Sequence, residues 1–251
     1  MIPQTSHLLP ANMNIVLLGY GKMGKVIEQV AQNRGHNIVA RVDVDNRQEF
    51  EELTNLQVDA VIEFSHPSSA FQNVKSCLER GFPVVCGTTG WLDSKPAVEA
   101  LAMEREGAFF WSSNYSIGVN LFFELNKTLA KLMFPQKEYS VSTTEIHHTE
   151  KKDAPSGTAI TLAEGIIQAF EDKTQWVSNE IPQQNEVPIW SAREGKVPGT
   201  HIVKYISEID QIEISHVAHG REGFALGAVI AAEWIVGKRG VFGMKELLSI
   251  G

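Results

Sequence analysis

The sequence predicts an α/β fold in two parts, a doubly wound parallel-sheet domain plus a second α+β domain with a mixed sheet. Three observations predict it. Short apolar runs alternate with helical patterns from Asn14 to Trp111. The rhythm breaks near Ser116-Ile-Gly-Val-Asn120, and beyond it the strand-like runs are rich in Val, Ile, Thr and Tyr with partial alternation. In order, Ile15–Leu18, a helix over Lys22–Arg34 and Ile38–Val42 form a βαβ unit. Ala60–Phe64, a helix over Ser69–Arg80 stopped by Gly81, Val84–Cys86, a helix over Pro96–Glu106 and Phe109–Trp111 continue it. In the second part a helix over Val119–Phe134 precedes strands at Tyr139–His148, Val187–Ala192, His201–Ile206 and Gln211–Val217. The apolar helix Gly223–Val236 is expected to return to the first part. Residues 13–117 and 223–251 then form one domain and 118–222 the other, with 1–12 a loose extension.

Composition narrows the partners. Of the 251 residues, 43% are hydrophobic and 21% charged, enough for two modest cores. The 22 basic and 30 acidic residues give a net charge of -8, so neither nucleic acid nor an anionic membrane surface is an expected partner. An anionic substrate needs locally placed cations. Cys77 and Cys86 make no metal or disulfide pattern, which points to a reducing, cytoplasmic setting. No apolar run approaches the roughly 20 residues of a membrane span, and residues 1–12 lack the layout of a signal peptide.

Gly19-Tyr-Gly-Lys-Met-Gly24 follows the first strand and opens the first helix, and Asp43 closes the second strand. Glycines let backbone approach a pyrophosphate, whose charge suits the amides and positive end of a helix. The whole loop (Gly19, Tyr20, Gly21, Lys22, Met23, Gly24) is therefore expected to hold a dinucleotide in a Rossmann-type domain, with Asp43 accepting from the adenosine ribose. That carboxylate repels a 2′-phosphate, so NADH is favoured over NADPH, although Arg41 and Arg47 lie close in sequence. Gly87-Thr88-Thr89-Gly90 and Ser112-Ser113-Asn114-Tyr115 end later strands, where ligands bind in this architecture, and are expected to touch ribose and nicotinamide.

The second part carries a dense polar block, from Glu145 to Thr158. Ser156 reads as the N-cap of an apolar helix, so the amides of Gly157 and Thr158 form an anion site, with His147 and Lys151 upstream to supply charge and a proton. The remaining histidines form no metal spacing, and no metal is expected.

Glu145 to Ala159, in the pattern E-I-H-H-x-x-K-x-D-A-P-S-G-T-A, resembles the signature of the 4-hydroxy-tetrahydrodipicolinate reductase family. The likeness runs from Met13 nearly to the end, through Arg193-Glu-Gly-Lys-Val-Pro-Gly-Thr-His201 and His216 to Gly227. It implies NAD(P)H-dependent reduction of a cyclic dicarboxylate on the route to diaminopimelate and lysine, by a homotetramer assembled through the second domain. Carried across by motif, His147 is the general acid/base and Lys151 the proton donor, while His148, Gly157 and Thr158 bind the substrate carboxylates. Which of His147 and Lys151 delivers the proton stays open, since coupled groups share their titration. The chain departs from the family in a glycine loop one residue shorter, in Lys22 for arginine, in Tyr115 for phenylalanine, and in Val44 where a basic residue often follows the acid.

Overall fold

The structure, a computed structural model, describes residues 12–250. Apart from Asn12, the expected extension lies outside the described residues. In chain order the elements are β1 (Asn14–Leu18), α1 (Lys22–Asn33), β2 (Asn37–Val42), α2 (Arg47–Glu52), β3 (Ala60–Glu63), α3 (Pro67–Glu79), β4 (Val84–Cys86), α4 (Lys95–Glu104), β5 (Ala108–Trp111) and α5 (Ile117–Met133). There follow β6 (Ser140–His147), α6 (Gly157–Ala169), β7 (Gln175–Ser178), β8 (Glu186–Arg193), β9 (Gly199–Ile206), β10 (Gln211–Ala218), α7 (Glu222–Ile235), β11 (Gly240–Phe242) and α8 (Met244–Leu248). Two compact units emerge, one running to Ile117 and resuming at Glu222, the other Gly118–Arg221.

The first unit is a six-stranded sheet in the order β11-β5-β4-β3-β1-β2, parallel throughout. Its inner strands β1, β3, β4 and β5 read as nearly continuous apolar runs because both faces are covered. Ile15, Leu17, Ile62 and Phe110 face α1 and α7, while Val16, Leu18, Val61 and Phe109 face α3 and α4. The returning α7 is pinned by Glu233, which meets Arg34 Nε and His36 Nε2 at 2.7 Å each. Burial raises the Glu233 pKa, but hydrogen bonds from Arg34 and His36 outweigh it and hold the carboxyl below its usual range. Strand order reverses between β1 and β3, which leaves a crevice at their carboxyl ends, the place where such sheets take ligands.

The second unit is a mixed sheet in the order β10-β9-β6-β8-β7. β6 runs parallel to β8 and antiparallel to β9. Alternation along β6 buries Val141, Thr143, Glu145 and His147 on one face. That face carries a core shared with α5 and α6, including Phe122, Leu162, Ile166 and Tyr205.

Several elements had no counterpart in the sequence reading: α2, β7, β11 and α8. Each is six residues or shorter, too brief to display a period. Elsewhere the ends differ by a residue or two, as where β6 stops at His147 and His148 begins the loop.

Candidate functional site

In the first unit, β1 leads into Gly19, whose φ of +92° belongs to the left-handed region and whose Cβ, if present, would overlap the Phe64 carbonyl. α1 then starts from Gly21 with no side-chain cap and no acidic residue in its first turn. Beside Gly21 nothing lies within 4 Å of where a Cβ would stand. An uncapped helix start with open space in front of it is a cradle for a pyrophosphate, so the residues fit the expected dinucleotide. Next to it lies a cavity of about 220 Å³ whose wall includes Gly19, Asp43, Arg47, Ser65 and Ser69.

The loop side chains are partly committed. The Tyr20 hydroxyl donates to Glu28, and Arg41 is paired with the same carboxylate. Lys22 is exposed, whereas Met23 packs on the core. Asp43 accepts from the Val44 amide at 2.9 Å through Oδ1, and its side chain borders the cavity. Thr88 is buried, its hydroxyl donating to Glu63 at 2.7 Å and accepting from Ser65 N at 2.9 Å, while Thr89 is exposed. Ser112 closes a turn on Asn114, donating to its carbonyl at 2.8 Å, and Ser113 is exposed. The Tyr115 ring is 2% exposed and its hydroxyl donates to the Cys86 carbonyl at 2.7 Å, so the side chain packs in the core and leaves the backbone for any cofactor contact.

In the second unit the polar block folds onto the end of β6. Glu145 and His147 project from the buried face, and β9 sets His201 directly opposite Glu145. His147 Nε2 lies 3.3 Å from His201 Nε2 and 3.4 Å from Glu145 Oε2, while its Nδ1 faces the Pro198 carbonyl at 3.3 Å. A carbonyl only accepts, so Nδ1 carries a proton and Nε2 is the atom left to exchange one. Ser156 caps α6 through Ala159 N at 3.2 Å, donates its amide to Glu145 Oε2 at 3.0 Å, and places its hydroxyl 3.2 Å from His201. The amides of Gly157 and Thr158 at the same helix start stand beside open space at Gly157. Lys151 directs Nζ to both oxygens of Asp153, at 2.7 and 2.6 Å, and Lys152 is exposed. His148 is half-buried.

Burial raises the Glu145 pKa, but hydrogen bonds from His147, Ser156 and Ser191 prevail and hold the carboxyl well below its usual range. Arg193 sits on the other oxygen at 3.4 Å and ties down the loop by donating to the Asp153 carbonyl at 2.6 Å. The arrangement is an ionised carboxylate, a histidine with one exchangeable nitrogen, and a helix start suited to a carboxylate. Ligand atoms of Glu145, His147 and His201 fall within 4.8 Å of one another, a spacing an ion could bridge. The Arg193 guanidinium on the same carboxylate opposes further positive charge there, and one shared proton satisfies the pair of ring nitrogens. Sequence reasoning assigned no role to Glu145, Arg193 or His201, which meet only through strand pairing.

Burial, and next the charge of His147, lower the His201 pKa to about 4, with Glu145 opposing. The folded value lies below the ordinary 6.5, so the unfolded chain binds more protons between the two and stability is lost as the pH is lowered through that window. The loss expected from this group is about 2 kcal/mol by pH 5. Urea unfolding at pH 7 and pH 5 checks it. The wild type should lose more stability than His201→Asn over that interval, and equal losses would refute the assignment.

Residues 13–115 match the family described as dihydrodipicolinate reductase, N-terminus, and residues 118–248 the corresponding C-terminus. A 4-hydroxy-tetrahydrodipicolinate reductase of Christiangramia forsetii is 48% identical over 94% of this chain and 98% of its own length. One from Methanosarcina mazei is 33% identical over 95% and 100%. In fold, the chain resembles a dipicolinate-bound dihydrodipicolinate reductase from Paenisporosarcina sp. TG-14, with a TM-score of 0.75 at 22% identity over 94% of this chain and 99% of that one. Matched in both halves and at these identities over nearly its whole length, the chain belongs to the dihydrodipicolinate reductase family.

Proposed function

We propose that the protein reduces 4-hydroxy-tetrahydrodipicolinate to tetrahydrodipicolinate with NAD(P)H, in the biosynthesis of diaminopimelate and lysine. The observation that carries the reading is the junction of β6 and α6, where an acid–base histidine borders a helix start built for a carboxylate. Exchanging a ring hydroxyl for hydrogen consumes one hydride and one proton and releases water. The nicotinamide supplies the hydride when bound. Gly157 and Thr158 amides with His148 anchor the carboxylates, and Lys151 is the proton donor once substrate draws it from Asp153. His147 holds and returns a proton at Nε2, with Glu145 stabilising the charge that appears there. In the first unit Gly19, Gly21 and Gly24 cradle the pyrophosphate, and the Thr88–Thr89 and Ser112–Asn114 turns border the ribose and nicotinamide. No metal takes part.

The test is an assay offering the cyclic substrate, made in situ from pyruvate and aspartate-semialdehyde, with NADH, beside L-aspartate and homoserine each with NAD+. Loss of NADH absorbance with the cyclic substrate alone is expected; its absence refutes the reading. NADH is the preferred reductant in this reading, which is supported by Asp43 lining the cavity beside the glycine loop and by Glu28 holding Arg41. Steady-state kinetics should give NADH the higher kcat/KM, and Asp43→Ser should reduce that advantage. A larger kcat/KM with NADPH in the wild type would reverse the assignment. A homotetramer acting in the cytoplasm completes the proposal; no helix among the described residues is long and apolar enough to cross a membrane.

A further inference from the structure

A buried carboxylate lies at the end of β3. Glu63 is 0% exposed and pairs with no cation among the described residues. It accepts hydrogen bonds from Ser65 Oγ, from Thr88 Oγ1 at 2.7 Å, from Cys86 Sγ at 3.0 Å and from Asn73 Nδ2 at 3.1 Å. Two loops, one strand and one helix therefore converge on it.

The consequence reaches the cavity through Asn73. The Glu63 carboxyl oxygen accepts from the amide nitrogen of Asn73, which turns Oδ1 the other way. Arg47 NH1 donates to that Oδ1. The guanidinium also lies 5.9 Å from the centre of the Phe50 ring, so it is held by a hydrogen bond and by an aromatic face. Arg47 is the only basic residue among the described residues lining the cavity that contains Asp43, Ser65 and Ser69. Arg41, equally near in sequence, is paired with Glu28. Val44 stands directly after the acid and brings no charge.

Resting on the dinucleotide reading above, we infer that Arg47 is the specificity-determining residue for the 2′-phosphate of NADPH, positioned by the Glu63–Asn73 pair. Asp43 serves the ribose diol of NADH and repels a phosphate. Arg47, one of whose five N–H groups is used by Asn73, keeps donors for that phosphate at the same rim. The two residues set opposite preferences in one cavity, so the cofactor ratio depends on both.

The experiment is calorimetric titration of the full-length chain with NADH and with NADPH, for the wild type, Arg47→Met, Asn73→Ala and Glu63→Gln. Arg105→Met, which removes an exposed arginine beside Glu104, is the charge-matched control. Arg47→Met should raise the ratio of the NADPH to the NADH Kd about tenfold or more, the size of one charge-assisted hydrogen bond. Asn73→Ala and Glu63→Gln should raise it by a smaller factor, and Arg105→Met should leave it unchanged. The wild-type ratio should also rise with salt, since phosphate binding is the more screened of the two. An unchanged ratio in Arg47→Met overturns the inference, and so does an equal loss of both nucleotides, the mark of a structural role. If the wild type binds neither nucleotide, the dinucleotide reading falls too. Arg47 is only half-buried, so its substitution tests the idea even if Glu63→Gln fails to fold.

Discussion

His147→Asn is expected to lower kcat by about 10²- to 10⁴-fold, the usual contribution of one positioned acid–base group, with NADH affinity within about threefold of wild type. The reason is atomic. Asn can still donate to the Pro198 carbonyl, so the loop is retained, but no nitrogen is left to exchange a proton beside Glu145. Stopped-flow turnover together with NADH titration separates the two effects. A kcat within a few-fold of wild type would remove His147 from the mechanism. Lys151→Ala is the companion variant, and the two pH profiles together assign the order of proton transfer. Loss of the basic limb in only one of them identifies the group that starts protonated.

Arg193→Ala acts first on stability. Its guanidinium is 22% exposed and faces a carboxylate that is fully buried. Deleting it leaves Glu145 without its fixed cation and frees the carbonyls of Lys151 and Asp153. The expected cost is about 3 kcal/mol, at the low end for a broken buried pair because the cation is partly solvated. Urea unfolding measures it, and Arg193→Lys should recover only part, since a point charge cannot reproduce the fork. A cost under about 1 kcal/mol, the size of a surface pair, would show that Glu145 is stabilised by its other donors alone.

The architecture was legible because its signals are local and redundant. β1 is apolar from Ile15 to Leu18, α1 follows a glycine turn, and β6 alternates in a way that only a half-buried strand requires. The Ser156 cap was legible for the same reason, since a cap is a contact across three residues. The chemistry around His147 was only partly so. His201 lies 54 residues away and arrives by the pairing of β6 with β9, and Arg193 arrives by the pairing of β6 with β8. No local period encodes either register. Arg41 and Arg47 looked equivalent in the sequence, and a glutamate on α1 separated them by taking one. The burial of the Tyr115 ring was not legible, because a residue in the turn after a strand can direct its side chain into the core while a near neighbour such as Ser113 stays exposed.

The pinning of α7 by Glu233 bears on how the protein is made. The seam between α1 and α7 closes the first unit, yet the two helices are separated in the chain by everything from residue 34 to 221. On a ribosome the apolar flank of α1 waits while residues 118–221 are synthesised, about 5–20 s at ordinary elongation rates. By the end of that interval the second unit has its entire sheet available and can fold, while the first holds five strands and an uncovered flank. Chains interrupted before Glu222 therefore carry a finished domain attached to a sticky, unfinished one, the kind of nascent product that chaperones and proteases sort.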